Sequence, residues 1–285
     1  MNDNKSKDKS IPAVLTIAGS DSGGGAGIQA DLRTFSHLNV YGCSAITAIT
    51  AQNPLEVRLV SILSDELIKS QLDTVFSAFK INVIKTGMLP TENIVSIVAN
   101  YIQGRKLLAV IDPVMVSTSG VRLIDTKSID KIKQELLHLA TWITPNIPEA
   151  ELISEIKISS FDDTLKAAIK IFEKYKCNVI LKCGHATWLD KAIDIVCYKG
   201  KLYLLTSPLL NIIGNEAHGT GCTLSSAIAA GLAKGKTWEE AIIEAKAFVY
   251  GSLLEKVFLG KNFAQMYPPT SNYIDAISLE EYIPA

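Results

Sequence analysis

His218-Gly219-Thr220-Gly221-Cys222-Thr223 runs without interruption into Leu224-Ser225-Ser226-Ala227-Ile228-Ala229-Ala230. The two glycines let the backbone turn tightly with its N–H groups converging, and the apolar spacing that follows predicts a helix over 220–233. The first amides of a helix have no partner inside it, so such a terminus cradles a charged oxygen, phosphate above all. Cys222 stands fourth in Gly-Thr-Gly-Cys, where helix amides and dipole lower a thiol pKa and make a base of it. A buried free cysteine otherwise behaves as a small hydrophobe. That reading suits Cys43, Cys177 and Cys197; for Cys222 both remain open on these residues alone.

A second glycine-rich stretch, Gly19-Ser20-Asp21-Ser22-Gly23-Gly24-Gly25-Ala26-Gly27, follows the first apolar run. Gly23 and Gly25 begin a G-x-G, but Ile28 stands where a dinucleotide fingerprint needs its third glycine, and no G-K-[ST] completes a P-loop. The run allows a ligand close to the backbone; a plain flexible turn looks the same. Asp21 could bond a substrate group or close an Asx-turn within the loop. Gln52 ends an apolar run and offers a donor and an acceptor together, which suits the edge of a heterocycle. Asp112, in Ile111-Asp112-Pro113, is a carboxylate at a strand end. Asn146-Ile147-Pro148-Glu149 opens a helix, and Glu149 could hold hydrated Mg²⁺ or simply complement the helix dipole. Lys85 and Lys182 each end an apolar run, where a lysine can neutralise phosphate or reach to solvent; two of them beside an anion loop favour phosphate. His218 borders the anion loop and could shape it, whereas His37, His138 and His185 lack ligand spacing.

Bringing these residues together requires a particular scaffold. Apolar runs at 13–18, 44–51, 83–84, 107–111, 142–143 and 179–181 alternate with helical spacing at 28–38, from a cap at Ser64 through Phe79, and at 94–102, 129–139, 162–175, 220–233 and 238–254. That alternation, with continuous apolar strands, predicts a mostly parallel sheet covered by helices on both faces. Ile193 to Tyr198 and Leu202 to Leu205, joined through Gly200, predict an antiparallel hairpin at the sheet edge. Ligands of such sheets bind beyond the carboxyl ends of the strands. Asp21, Gln52, Lys85, Asp112, Asn146, Glu149 and Lys182 all fall at or just after strand ends, which predicts one shared site. With 285 residues, 48% of them hydrophobic, and no linker or repeat, the chain reads as one domain over 1–285, its polar residues 1–10 a frayed tail. A formal charge of -1 without a basic cluster points to no nucleic-acid or anionic-membrane partner. No apolar run nears the roughly 18 residues of a membrane span. Five cysteines without metal spacing, and no signal peptide, predict a reducing cytoplasm.

Several long motifs stand in a fixed order: Ala18 through Asp31 with Tyr41-Gly42-Cys43-Ser44; Ile46-Thr47-Ala48 to Gln52-Asn53; Lys85-Thr86-Gly87-Met88-Leu89; Thr144-Pro145-Asn146 to Glu149-Ala150; and Gly219-Thr220-Gly221-Cys222-Thr223. Through them, over about Val14 to Leu254, the chain resembles the hydroxymethylpyrimidine/phosphomethylpyrimidine kinases of thiamine biosynthesis, in the ribokinase-like branch shared with pyridoxal kinases. The resemblance implies an α/β fold, a three-layer α/β/α ribokinase-like arrangement with a mostly parallel central sheet. It implies ATP- and Mg²⁺-dependent phosphorylation of 4-amino-5-hydroxymethyl-2-methylpyrimidine and then of its monophosphate. Gln52 would read the pyrimidine, with Gly19, Asp21 and Met88 near it. Gly219, Thr220 and Gly221 would form the anion hole with Cys222, the base. Asn146, Lys182 and Thr223 would lie near the nucleotide, and Glu149 and Asp112 near Mg²⁺. Small-molecule pyrimidine and ATP are the implied partners, and a homodimer the implied assembly. Relatives with the same cysteine act as pyridoxal kinases, so pyridoxal phosphorylation is the alternative, and a non-catalytic vitamin-binding regulator on this scaffold the more distant one. Ile213-Gly214-Asn215-Glu216-Ala217 departs from the lysine- or threonine-containing version of the family.

Overall fold

The computed structural model describes residues 11–115, 124–184, 191–212, 218–259 and 263–283; the expected tail at 1–10, His185 and the segment 213–217 lie outside the described residues. The chain opens with β1 (Ala13–Asp21), α1 (Gly27–His37), β2 (Tyr41–Gln52), β3 (Val57–Ile62), α2 (Asp65–Ala78), β4 (Ile81–Thr86), α3 (Glu92–Gln103) and β5 (Leu108–Ile111). Next, α4 (Thr126–Lys131) passes into a π turn at Ile132–Leu136 and a 3-10 turn at Leu137–Leu139, so the helical stretch expected over 129–139 forms without being regular. The remainder is β6 (Trp142–Ile143), α5 (Ile147–Ser154), α6 (Phe161–Tyr175), β7 (Asn178–Lys182), β8 (Ala192–Tyr198), β9 (Lys201–Ser207), α7 (Thr220–Ala233), α8 (Trp238–Leu254), β10 (Val257–Leu259), β11 (Phe263–Gln265) and β12 (Ser278–Glu281).

Ten of these strands form one sheet in the order β12-β9-β8-β7-β6-β5-β4-β1-β2-β3. From β2 through β1, β4, β5 and β6 to β7 every neighbour pair is parallel. Strands buried on both faces must be apolar at successive positions, and period-two alternation then sends neighbours to opposite layers. Val14, Val83, Val110, Trp142 and Ile180 pack on the side of α7 and α8, while Leu15, Ile17, Ile84, Ile111 and Val179 pack on the side of α2, α3 and α6. The three-layer, mostly parallel arrangement expected from the sequence is thus present. Ser64 caps α2 as expected, its hydroxyl accepting from the Leu67 amide.

Two edges differ from expectation. The hairpin β8–β9 is antiparallel, but β12 pairs outside β9, so the hairpin is not the edge. Residues 278–281 read Ser-Leu-Glu-Glu, where Leu279 alone packs against the core, too short a stretch to carry an apolar pattern. At the other edge, β3 pairs antiparallel with β2 and is largely exposed, so it has no buried face to leave a period in the sequence.

Chain order runs outward in opposite directions on the two sides of β1, towards β2 and towards β4. That makes the β1/β4 boundary a topological switch point, where a crevice opens beyond the strand ends. Beneath it lies a buried ion pair. Lys85 Nζ donates to both oxygens of Asp31 at 2.8 and 2.9 Å, and neither side chain has any exposure. Thr16 and Ser226 hydroxyls donate to the same carboxylate at 2.6 and 2.7 Å. Burial works against a charge on Lys85, yet Asp31 beside it holds the ammonium and raises its pKa. The expectation that Lys85 neutralises phosphate is corrected here: its Nζ is committed inward, under α7. Because removing one partner strands the other charge in the core, Lys85→Met is expected to cost about 3–5 kcal/mol in urea unfolding. Adding Asp31→Leu should recover part of that loss; a double variant less stable than the single would refute the stranded-charge account.

Candidate active site

The start of α7 faces the ends of β5, β6 and β7. Gly219 caps the helix at φ +86°, a conformation L side chains avoid, and a Cβ there would stand 1.9 Å from the Gly25 carbonyl oxygen. The two glycine loops are therefore in direct backbone contact. A Cβ on Gly221 would lie 2.9 Å from Lys182 Nζ and 3.7 Å from Asp112 Oδ2, so the missing side chain is what lets the helix terminus meet these charges. Lys182 pairs with Asp112 Oδ1 at 2.9 Å. Thr144, just past β6, donates to the same oxygen at 3.1 Å, and Ser225 reaches Oδ2 at 3.4 Å. Thr144 and Ser225 were not singled out from sequence. Their signals were available: one follows a strand end, the other stands four residues after Gly221, on the same helical face.

Asn146 caps α5 and forms a reciprocal box with Glu149. Asn146 Oδ1 accepts from the Glu149 amide at 2.9 Å, and Glu149 Oε2 accepts from the Asn146 amide at 2.9 Å. Asn146 thus positions Glu149, while Glu149 Oε1 also accepts from the Met115 amide at 3.3 Å. Burial above all, with Asp112 adding repulsion against the pull of Lys182, pushes the Glu149 carboxyl up to about 7. Two buried carboxylates thus share one ammonium, and the raised pKa records the uncompensated charge. A hard divalent cation with its waters fits this pair: Mg²⁺ takes one or two carboxylates and fills its octahedron with water and phosphate oxygens. Among the described residues no group of three or more His, Cys, Asp or Glu gathers as a protein-only metal cage.

Cys222 is half-buried in the first turn of α7. Its thiol is not the acidic one expected from a helix terminus. Burial pushes it up to about 11; Lys85 and a hydrogen bond from the Gly27 amide pull down, but Asp31 and Asp112 push up as well. Thr223 takes another side of the same helix. It is buried and lines a crevice with Ala30, Thr34 and Phe248 between α1, α7 and α8, on the side of α7 opposite Gly221. It stands away from Lys182 and Asp112. Thr220 is the first residue of α7.

The first loop is organised by Asp21, at the carboxyl end of β1. Its carboxylate accepts from the amides of Gly23, Gly25 and Ala26 at 2.8, 3.1 and 2.9 Å, and His218 Nε2 stands 3.5 Å from Oδ2. Of the two roles open to Asp21, the loop-shaping one is what the geometry uses, in place of a free ligand group. Burial alone would raise its pKa, but the His218 contact and these amides lower it below the usual carboxylate value. Gln29, also unrecognised from sequence, buttresses the loop by accepting from the Asp21 amide at 2.9 Å. Gln52 ends β2, its amide nitrogen 3.4 Å from His218 Nε2 and its oxygen 3.2 Å from Thr50 Oγ1. Met88 lies over Gly19, its methyl 2.7 Å from where a Cβ would stand. Gly19, Gln52, Met88 and His218 thus border one side of the crevice, and Lys182, Asp112 and Glu149 the other, with Gly219, Gly221 and Cys222 between.

A sheet with this switch point and a glycine-capped helix facing a lysine and two carboxylates defines a small-molecule kinase of ribokinase-like architecture. The phosphomethylpyrimidine kinase family model matches residues 21–267, and the chain belongs to that family. It is 40% identical over 266 residues to the hydroxymethylpyrimidine/phosphomethylpyrimidine kinase of Bacillus subtilis, covering 93% of this chain and 96% of that one. It is 43% identical over 242 residues to the thiamine biosynthesis bifunctional protein ThiED of Geobacter sulfurreducens, covering 85% of this chain and about half, 49%, of that longer protein. Among solved structures, the pyridoxal kinase of Staphylococcus aureus in complex with AMP-PCP and pyridoxal superposes with a TM-score of 0.85 at 35% identity, covering 96% of this chain and 100% of that one.

The Glu149 carboxyl generates a prediction about pH. Because its folded pKa is raised above the ordinary 4.5, to about 7, the folded protein holds a proton that the unfolded chain releases. Stability from this group is therefore present at low pH and lost as pH rises between those values. Glutamine retains the capping box and removes the titration. The melting temperature of Glu149→Gln minus that of wild type should then grow from pH 5 to pH 8, and MgCl₂ should raise the wild-type value at the upper end more than the variant's. Parallel curves would refute the assignment.

Proposed function

We propose that the chain acts as one ribokinase-like kinase domain that phosphorylates 4-amino-5-hydroxymethyl-2-methylpyrimidine and then its monophosphate, with ATP as donor, in thiamine biosynthesis. The observation that carries this reading is the convergence of Gly221 at the start of α7 with Lys182 and Asp112, beside Cys222 and across the crevice from Gln52. Phosphoryl transfer passes through a loose transition state whose main demand is charge stabilisation in a fixed geometry. The amides of Gly219 to Cys222 are aimed where that charge develops, and Lys182 offsets phosphate charge. Glu149 and Asp112 would hold hydrated Mg²⁺, which when bound neutralises phosphate charge and orients its oxygens.

In this reading the pyrimidine lies over the first glycine loop with its ring edge at Gln52. The proton of its hydroxyl passes to the Cys222 sulfur as thiolate, the oxygen–phosphorus bond forms, and the bond to ADP breaks. A thiol pushed up to about 11 is protonated in the empty enzyme at neutral pH, so kcat/KM should climb as pH rises above neutrality. The proton can leave late in a loose transition state, which limits how much the base must contribute. Cys222→Ala is expected to lower kcat by about 10²–10⁴-fold and to flatten the alkaline rise, with ADP release as readout and ATP saturating. A near-wild-type rate would remove Cys222 from the base role.

The likeness to a pyridoxal kinase structure keeps pyridoxal as the second reading. Steady-state kinetics with the pyrimidine, its monophosphate and pyridoxal side by side decide between them; a larger kcat/KM for pyridoxal would overturn the first. A cytoplasmic setting is proposed from five free thiols; among the described residues no helix is long and apolar enough to cross a membrane. A homodimer is proposed from the exposed Ile49, Leu59 and Ile62 on β2 and β3, and light scattering that finds a monomer would remove it.

A further inference from the structure

His218 Nε2 stands between two groups with opposite needs, the Gln52 amide nitrogen at 3.4 Å and Asp21 Oδ2 at 3.5 Å. An amide nitrogen only donates, and a carboxylate only accepts. Asp21 Oδ2 is an acceptor facing His218 Nε2 at 3.5 Å, and beside a carboxylate held below its usual range a proton on that nitrogen is favoured over a lone pair. That same proton then faces the amide nitrogen, donor against donor. At the far end of the amide, Thr50 Oγ1 lies 3.2 Å from Gln52 Oε1 and 3.0 Å from the Ser20 carbonyl. The single hydroxyl proton serves the carbonyl, leaving Thr50 only lone pairs to offer Gln52. Both ends of the amide are therefore mismatched as placed, and a half-turn corrects both. Oε1 then shares the His218 Nε2 proton with Asp21 Oδ2 in a three-centre contact, where a donor had faced a donor, and Nε2 donates to Thr50. The two orientations have the same shape, so only the network distinguishes them. The backbone around Gln52 is pinned, its N–H bonding Ser22 Oγ and its carbonyl accepting from the same hydroxyl, both at 2.8 Å, which leaves the amide orientation as the free variable.

We propose that His218, protonated at Nε2, is a positioning residue that locks the Gln52 amide with its carbonyl towards the imidazole and so sets the substrate edge this site reads. Locked in this way, Gln52 keeps one lone pair on Oε1 and one proton on Nε2, in a fixed order, for a ligand. An aminopyrimidine offers the complement, an exocyclic amine beside a ring nitrogen, as adenine does to glutamine. Pyridoxal has no amine beside its ring nitrogen and gains nothing from the fixed order. The lock is thus a device for preferring aminopyrimidines, and in naming the substrate edge it rests on the kinase reading above.

Two measurements test it. In the ligand-free protein near neutral pH, long-range proton–nitrogen NMR of the His218 ring should find the proton on Nε2; a ring protonated only at Nδ1 would overturn the lock whatever the substrate. In kinetics, His218→Phe should lower kcat/KM for the pyrimidine about tenfold, the worth of roughly one hydrogen bond to a polar group. The loss should fall chiefly on KM, with pyridoxal changed far less, and His218→Gln, which retains an N–H donor, should restore most of it. Equal losses for both substrates, or a loss confined to kcat, would show that His218 only shapes the anion loop. A wild-type enzyme that phosphorylates neither compound would refute the kinase reading, while the NMR result would still decide the orientation of Gln52.

Discussion

The Asp31–Lys85 ion pair joins four elements with one polar cluster: α1 through Asp31, β4 through Lys85, β1 through Thr16 and α7 through Ser226. Burying two charges is costly, and such a pair is tolerated where its hydrogen bonds are complete. Here the carboxylate takes four of them. The position of the bolt explains why that arrangement matters. Directly above it two glycine loops touch backbone to backbone, with few side chains to hold either in place and a high entropy of ordering. Cys222 stands one helical turn before Ser226, so the pair that holds α7 down also sets where the thiol and the first amides of the helix sit.

The charges around the crevice are left deliberately unbalanced. Lys182 serves Asp112, and the nearby Glu149 is left with an elevated pKa. Lys85 is spent on Asp31, so its field at Cys222 is partly cancelled by its own partner, and burial dominates the thiol. The field around the crevice thus suits added positive charge more than a resting thiolate. A loose phosphoryl transfer makes the same demand: preformed positive charge and oriented amides matter more than a strong base.

Much of this was legible in the sequence. The parallel sheet followed from uninterrupted apolar strands, and the polar residues at their carboxyl ends marked the crevice. The helices over 220–233 and 238–254 begin and end where the apolar spacing placed them. β3 was not legible because an exposed edge strand leaves no buried period, and β12 because it puts a single apolar side chain, Leu279, on the core. Side-chain direction was the other gap. Lys85, Thr223 and Asp21 were in the right neighbourhood and pointed elsewhere: inward to Asp31, across to α1 and α8, and back onto its own loop.

By itself, then, the sequence determined the class of scaffold, the sheet edge at which the polar residues gather, the family, and the identity of most residues near the crevice, because periodicity, strand ends and long ordered motifs are local properties of the chain. Only the tertiary structure decided which lysine stays in the crevice, that Cys222 is a weakly acidic thiol, and that Asp21, His218 and Gln52 form one connected set. Those outcomes depend on burial and on charges supplied by β4, β5, α1 and α7 at once. A pKa or an amide orientation is a sum over neighbours distant in sequence, and no spacing along the chain records it.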